Sequence, residues 1–201
     1  MLHKPVKKIV ATNKNIRSLL KLEFKKNILN INLNHIDVSQ VTNMDNLFAN
    51  ISEHFDISQW EVSNVTSMES LFYGSNFNGD ISNWNVSKVM NMNSLFGYSK
   101  FNGDISKWDT SSTIYMAQLF AGTYFNGDIS KWNVSNVKSM EWIFNMAAFN
   151  GDISEWRLNP NLTFYKDFSS VLENSQDIRR QKEANQLKTL VLSPPALSKS
   201  L

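Results

Sequence analysis

Carboxylates recur at a fixed interval along the chain, and they are the residues best suited to chemistry. Five aspartates lie 24 residues apart: Asp56, Asp80, Asp104, Asp128 and Asp152. If coils stack at ~4.8 Å, neighbouring carboxylates repel by about 0.8 kcal/mol per pair in bulk water. Calcium ions bridging the coils would offset this repulsion, as would backbone N–H groups donated in the following turn. We favour the turn, because each coil offers a single carboxylate and Asp-x-Asp spacing is absent.

A second polar column consists of asparagines, each two residues before one of the last four aspartates. They are Asn78, Asn102, Asn126 and Asn150. Stacked amides are usually hydrogen-bonded to one another or to backbone. We therefore predict side-chain amide ladders that join one copy to the next, which is a structural role.

Little in the chain resembles a reaction centre. There is no cysteine, and the three histidines are His3, His35 and His54. No pair of histidines has metal-ligand spacing, and no phosphate-binding loop or nucleophile elbow is present. A reaction centre needs a base, a nucleophile and an orienting group together. We therefore predict no enzymatic activity, no catalytic residue, no metal and no cofactor.

The elements that carry the polar columns belong to a repeat of constant length. The pentad Asp-Ile-Ser-x-Trp ends at five tryptophans: Trp60, Trp84, Trp108, Trp132 and Trp156. A fixed period of this size indicates a solenoid, a stack in which each coil contacts its neighbours. The segment Phe-Asn-Gly-Asp-Ile-Ser alternates apolar and polar side chains, which predicts a short parallel strand. The Ile and Trp of each pentad are expected to be buried.

The other half of each unit has helical spacing. Val, Met, Leu and Phe stand at offsets 0, 3, 6 and 7, as in Val65, Met68, Leu71 and Phe72. These offsets share one face of a helix of about two turns. The predicted fold class is an α/β solenoid, a leucine-rich-repeat-like right-handed stack of ~24-residue coils. Each coil would contain a short parallel strand and a short helix.

The ends of the array differ from the repeat. Apolar residues at helical spacing predict an N-terminal capping helix between residues 12 and 27, with Asn13 or Asn15 as its N-cap. Phe164 and Phe168 keep the repeat register in a decayed sixth coil. The predicted divisions are a basic segment with the capping helix at 1–28, the solenoid with five clear repeats at 29–171, and a C-terminal helix with a flexible tail at 172–201.

Charge is distributed unevenly along the chain. Residues 1–28 contain eight Lys or Arg and one Glu, whereas residues 29–171 contain seven basic and fourteen acidic residues. The basic segment could reach nucleic acid or an anionic membrane, although a solvated helix face is the simpler interpretation. No stretch has the length of a membrane span or the form of a signal peptide. A cytoplasmic location is therefore the default expectation.

The repeat resembles a known family. The pattern Phe-Asn-x-Asp-Ile-Ser-x-Trp-x-x-Ser-x-Val-x-x-Met-x-x-Leu/Met-Phe is similar to BspA-like leucine-rich-repeat surface proteins, whose unit is also called the mycoplasma lipoprotein-associated domain of unknown function. Residues 33–39, Leu-Asn-His-Ile-Asp-Val-Ser, resemble another segment of that family. The resemblance covers Thr12 to Phe168. It implies a leucine-rich-repeat-like solenoid with a binding role, often at a bacterial surface, and no catalytic residues. Many members carry a secretion signal, which this chain lacks.

Partner-binding side chains are expected where the repeat varies. Eight such positions flank the tryptophans: Asn83, Asn85, Lys107, Asp109, Lys131, Asn133, Glu155 and Arg157. Aromatic residues outside the core columns are Tyr73, Tyr98, Tyr124 and Trp142. Tyrosine and tryptophan often anchor interfaces, so we include the three tyrosines as candidates. The alternative is that they pack between coils on the convex side.

The leading functional hypothesis is a non-enzymatic module for protein–protein interaction, with a partner of unknown identity. A bacterial surface or adhesion protein that binds a host protein or glycan is an alternative that the family resemblance suggests. A third hypothesis is association with nucleic acid or an anionic membrane through the basic N-terminal segment. The sequence disfavours nucleic acid as the partner and indicates neither the oligomeric state nor the compartment.

Overall fold

The computed structural model describes residues 8–26 and 29–162. The described helix and strands all lie near the N-terminus. They are β1 (Ile9–Thr12), α1 (Ile16–Phe24), β2 (Ile31–Asn32), β3 (Ile36–Gln40) and β4 (Phe55–Asp56). β1 pairs with β3 and β2 pairs with β4, both in parallel. The predicted sixth coil, C-terminal helix and tail lie outside the described residues, as do residues 1–7 and 27–28 of the basic segment.

Helix α1 lies within the segment where the sequence predicts a capping helix. Its apolar stripe buries Ile16 and Leu20 against the core, and Leu19 and Phe24 pack beside them. Asn15 stands at the N-cap position but makes no side-chain hydrogen bond to the helix. Its amide instead accepts from the Thr12 N–H at 2.6 Å and donates to the carbonyl of Val10 at 3.3 Å. Asn15 therefore stabilises the turn between β1 and α1.

Side chains of the N-terminal cap replace a missing coil. The carbonyl of Thr42 accepts hydrogen bonds from the consecutive N–H groups of Thr66 and Ser67, and later copies repeat this contact. In the first copy the amide oxygen of Asn13 accepts in the same way from Thr42 and Asn43, at 2.9 and 3.2 Å. The guanidinium of Arg17 donates to the carbonyl of Asp45. The cap thus supplies the polar contacts that a preceding coil would have made.

The predicted short helix of each repeat is wrong. Between neighbouring copies, every second N–H donates to the carbonyl 23 residues further on, as from Met68 to Asn91 and from Phe72 to Leu95, both at 2.9 Å. The alternate N–H groups donate three residues back, as from Leu71 to Met68. We call these segments the turn ladder. They are residues 44–51, 68–75, 92–99, 116–123 and 140–147.

The backbone conformation explains why the turn ladder is not helical. Two positions in every copy have a positive φ, which interrupts the run of right-handed residues that a helix requires. The first column is Asn46, Ser70, Ser94, Gln118 and Trp142, with φ between 53° and 59°. The second column is Asn50, Gly74, Tyr98, Gly122 and Met146, with φ between 56° and 65°. Isolated parallel bridges at the start of the ladder join each copy to the next, as between Ser67 and Asn91.

The predicted strand in each copy is also largely absent. Of the five copies, only the first contains a strand at this position, β4. In later copies the asparagine column makes the connection: Asn102 N–H donates to Asn78 Oδ1 at 2.8 Å, and Asn126 N–H donates to Asn102 Oδ1 at 3.0 Å. We predicted hydrogen bonds between the side-chain amides of neighbouring copies. The donor is instead the backbone N–H of the asparagine in the next copy. The asparagine still links one copy to the next.

Aromatic columns form the core. Phe48, Phe72, Phe96, Phe120 and Phe144 stack with ring centroids 5.7 to 5.8 Å apart. A second column contacts the first in each copy, with 4.2 Å between the rings of Phe72 and Phe77. The first four pentad tryptophans are buried, which confirms their predicted inward orientation. Each pentad tryptophan donates its indole N–H to a carbonyl 27 residues back, as from Trp108 to Ile81 at 3.1 Å.

The first copy fills the second phenylalanine column from a different position. It has Glu53 where the later copies have phenylalanine, and it has Phe55 where they have glycine. A Cβ at Gly79 would lie 2.8 Å from the Phe77 ring. A side chain at the glycine position would therefore occupy the space that the phenylalanine ring fills in later copies. The Phe55 ring occupies it, 4.3 Å from Phe48 and 5.0 Å from Phe77.

Candidate functional site

The aspartate column is a set of structural turns. Each aspartate accepts, at 2.9 Å, the backbone N–H of the serine two residues later. Hydrogen bonds from Ser82, Ser106 and Ser130 lower the pKa of Asp80, Asp104 and Asp128. The preference for a turn is thereby confirmed. Within the described ranges, no group of three His, Asp or Glu side chains could hold a metal ion.

Three of the predicted binding residues, each located just after a pentad tryptophan, form the same kind of turn. Asn85, Asp109 and Asn133 accept the N–H of the serine two residues later, at 3.0 to 3.1 Å. The hydrogen bond of the Ser111 side chain, followed by that of its backbone N–H, lowers the pKa of Asp109. Asn85, Asp109 and Asn133 are exposed, but one side-chain oxygen of each already serves the fold.

The residues just before the last four pentad tryptophans form an exposed column that we call the charged edge. It consists of Asn83, Lys107, Lys131 and Glu155. Lys107 lowers the pKa of Asp104, and Lys131 lowers that of Asp128, in both cases less than the serine hydrogen bonds do. Arg157 is also exposed, one residue beyond Trp156. These positions remain predictions as a binding site.

The tyrosines lie in or beside the turn ladder, whereas the charged edge lies just before the pentad tryptophans. Tyr73 is half-buried, and its ring meets that of Tyr98 edge-on at 5.5 Å. Tyr98 also lies over Gly122, where an added Cβ would come within 2.5 Å of its ring. Part of the surface of Tyr73 and Tyr98 is therefore packed between copies, as the alternative interpretation of these tyrosines predicts. Tyr124, by contrast, is 79% exposed.

Eight further exposed apolar residues among the described ones were not predicted as site residues. Four lie near the N-terminus, namely Ile9, Val10, Leu22 and Leu29, and four lie in the repeats, namely Met90, Tyr115, Trp142 and Met146. The latter four, together with Tyr98 and Tyr124, form what we call the apolar face, which lies on the turn ladder and its flanks in the last three copies. Their signal in the sequence was the column: Asn, Ser or Gly stands at the equivalent positions of Tyr98, Trp142 and Met146 in earlier copies.

Trp142 differs from the five pentad tryptophans. It is 41% exposed, and its indole N–H has no acceptor among the described residues. Every pentad tryptophan donates this N–H to a backbone carbonyl. Trp142 therefore has a partly exposed apolar ring, and its indole N–H is unpaired among the described residues.

A small charged cluster joins α1 to the first copy. The buried carboxylate of Glu23 is 2.7 Å from Lys26 Nζ and 3.3 Å from His35 Nε2. The hydrogen bond from Lys26 is the largest cause that lowers the pKa of Glu23, and His35 adds to it. The cluster holds the cap in place, and nothing in its geometry suggests a reaction.

Stacked copies of one motif, with side chains exposed in columns, define a repeat protein. The chain belongs to the family described as mycoplasma protein of unknown function, DUF285, which matches residues 14–100 and, in a second overlapping stretch, residues 75–182. No curated protein and no solved structure matches the chain. None of the helices among the described residues has the length and hydrophobicity to cross a membrane.

Proposed function

We propose that the chain is a right-handed solenoid of 24-residue coils, of the BspA-like leucine-rich-repeat type. The parallel bridges from Asn43 through Ser67, Asn91 and Tyr115 to Ser139 support this proposal, because they link every copy to the next. Parallel connections are right-handed in nearly all proteins. The coils would be built from turns rather than helices.

We propose further that this solenoid is a non-enzymatic module for protein–protein interaction. One observation carries the proposal: the six large apolar side chains of the apolar face are exposed on the turn ladder and its flanks in the last three copies. Solenoids commonly bind other macromolecules along such extended surfaces. In the described part of the chain, every buried side-chain nitrogen or oxygen has a hydrogen-bond partner, which suits a structural core better than a reaction centre.

Affinity capture with the immobilised full chain tests this function. We expect at least one protein from the source cells to bind saturably, and the purified pair to form a complex in titration calorimetry. Two variants locate the contact, Lys107→Ala/Lys131→Ala on the charged edge and Tyr98→Asn/Trp142→Ser on the apolar face. If no purified protein binds saturably, the proposed function is wrong. If a partner binds and neither variant changes the affinity, the contact lies on another surface.

A further inference from the structure

The apolar face contains side chains that the backbone does not favour. Tyr98, Trp142 and Met146 have φ values of 56°, 57° and 56°. Glycine and asparagine adopt this conformation most readily, and bulky side chains do so at a cost of roughly 1–2 kcal/mol. Other copies follow this preference with Asn50, Gly74 and Gly122 in the column of Tyr98 and Met146.

The same three residues are also poorly buried. Met146 is 74% exposed, Tyr98 47% and Trp142 41%. Burial therefore compensates only partly for the unfavourable backbone, and the indole N–H of Trp142 gains no hydrogen bond within the described residues. Bulky residues held in strained conformations at a surface are a recognised sign of a functional site. Folding alone does not explain why this copy of the repeat carries Trp142.

Charge indicates the kind of ligand that this surface suits. The turn ladder of the last three copies, residues 92–99, 116–123 and 140–147, contains a single charged residue, Glu141, and its flanks add Lys100 in the column of Tyr124 and Lys138 in the column of Met90. The segments around the pentads of the same copies carry more charge: Asp104, Lys107, Asp109, Asp128, Lys131, Asp152, Glu155 and Arg157. Electrostatic complementarity sets specificity at interfaces, so the turn ladder suits a neutral ligand and disfavours nucleic acid.

We infer that the apolar face is the docking surface for a protein segment that presents neutral, apolar side chains. This inference rests on the proposed function and specifies its surface and partner. Tyrosine, tryptophan and methionine are enriched in protein interfaces, and tryptophan and tyrosine dominate their energetics. Tyr98, Trp142 and Met146 are the anchors, and the Trp142 N–H donates to a carbonyl of the partner.

A library of random dodecapeptides displayed on phage is the probe. The full chain is the target, and the triple variant Tyr98→Asn/Trp142→Ser/Met146→Asn is the counter-target. Each replacement is a residue that another copy carries in the same column: Asn50 for Tyr98 and Met146, and Ser70 for Trp142. The variant should therefore fold, and an unchanged or higher melting temperature verifies that it does. Lys107→Ala/Lys131→Ala is the matched control on the charged edge.

We expect selected peptides rich in Leu, Ile, Phe or Trp and poor in charge. Their affinity should fall roughly tenfold or more on the triple variant, and should not change on the control variant or at high salt. Peptides that bind the triple variant equally well, or that require Lys107 and Lys131, would overturn the inference but leave a binding module. If neutral oligosaccharides on a glycan array bind through Trp142, the partner is a glycan and the inferred protein segment is wrong. If no ligand binds saturably, both proposals fail.

Discussion

At the scale of single residues, two tryptophans at unlike positions of the repeat differ in burial and in hydrogen bonding. Trp108 is buried, and its indole N–H donates to Ile81. Trp142 lies in the turn ladder with its ring partly in water. The sequence distinguishes them, because Trp108 belongs to the pentad and Trp142 stands where other copies have polar residues.

Replacing Trp108 with alanine should lower the free energy of unfolding by about 3–5 kcal/mol, because a large buried side chain leaves a cavity. Trp142→Ala is the matched control and should lower it by far less. Urea denaturation followed by circular dichroism measures both. An unchanged stability of the Trp108 variant would contradict the role of the tryptophan column.

Met146 tests the strained positions. Met146→Asn should raise the free energy of unfolding by about 0.5–1 kcal/mol, because asparagine tolerates a positive φ better than methionine does. Met90→Asn is the control, since Met90 is also exposed but is not among the residues of positive φ. Thermal denaturation compares the two, and an equal gain in both would point to lost surface hydrophobicity instead.

At the scale of elements, the sequence predicts some structure correctly and some incorrectly. The apolar spacing of Ile16 and Leu20 predicts α1, which forms within the predicted segment. The spacing of Met68, Leu71 and Phe72 also suits a helix, but these residues form turns. A local window cannot reveal that every second N–H bonds to another copy. Serine, asparagine and glycine at the columns of positive φ were the available signal.

The candidate site was predictable in part, for the same reason. Tyr98 and Tyr124 could be identified as aromatic residues outside the core columns. The turn bonds of Asn85 and Asn133 could not be seen, since a variable exposed position looks the same whether or not its oxygen is engaged. Met146 was missed although Asn50, Gly74 and Gly122 stand in its column. Its positive φ is given only by the three-dimensional structure.

The contact between the cap and the first copy can be tested at Asn13. Asn13→Ala should lower the free energy of unfolding by about 0.5–1.5 kcal/mol, because two backbone N–H groups lose their acceptor. Hydrogen exchange at the amides of Thr42 and Asn43 should become faster. Asn13→Asp keeps an acceptor oxygen and serves as the control. Equal exchange in the alanine variant and the wild type would show that the contact is unimportant.

At the scale of the whole molecule, carboxylates stabilised by hydrogen bonds make folding depend on acidity. Seven of those among the described residues have a lowered pKa: Glu23, Asp37, Glu61, Asp80, Asp104, Asp109 and Asp128. A carboxylate with a lower pKa in the folded state stabilises the protein above its unfolded pKa. That stabilisation is lost as pH falls below the ordinary values of 3.8 for Asp and 4.5 for Glu.

The free energy of unfolding should therefore be constant near about pH 7 and should fall steadily toward about pH 3. Urea denaturation across this range measures the dependence. The triple variant Asp80→Asn/Asp104→Asn/Asp128→Asn is the control, because Asn85 and Asn133 make the same turn without titrating. It should show a shallower fall. A profile identical to that of the wild type would mean that these turns do not couple to folding.

The replacement of a missing coil by Asn13 and Arg17 also limits assembly. A stack whose first layer left its backbone groups open would accept the last layer of another molecule, and that molecule would accept a third. Head-to-tail contacts of this kind do not close into a ring unless the rotation allows it, and otherwise they grow into filaments. By satisfying the Thr42 and Asn43 amides within the chain, Asn13 gives the array a definite beginning and removes one end from polymer growth.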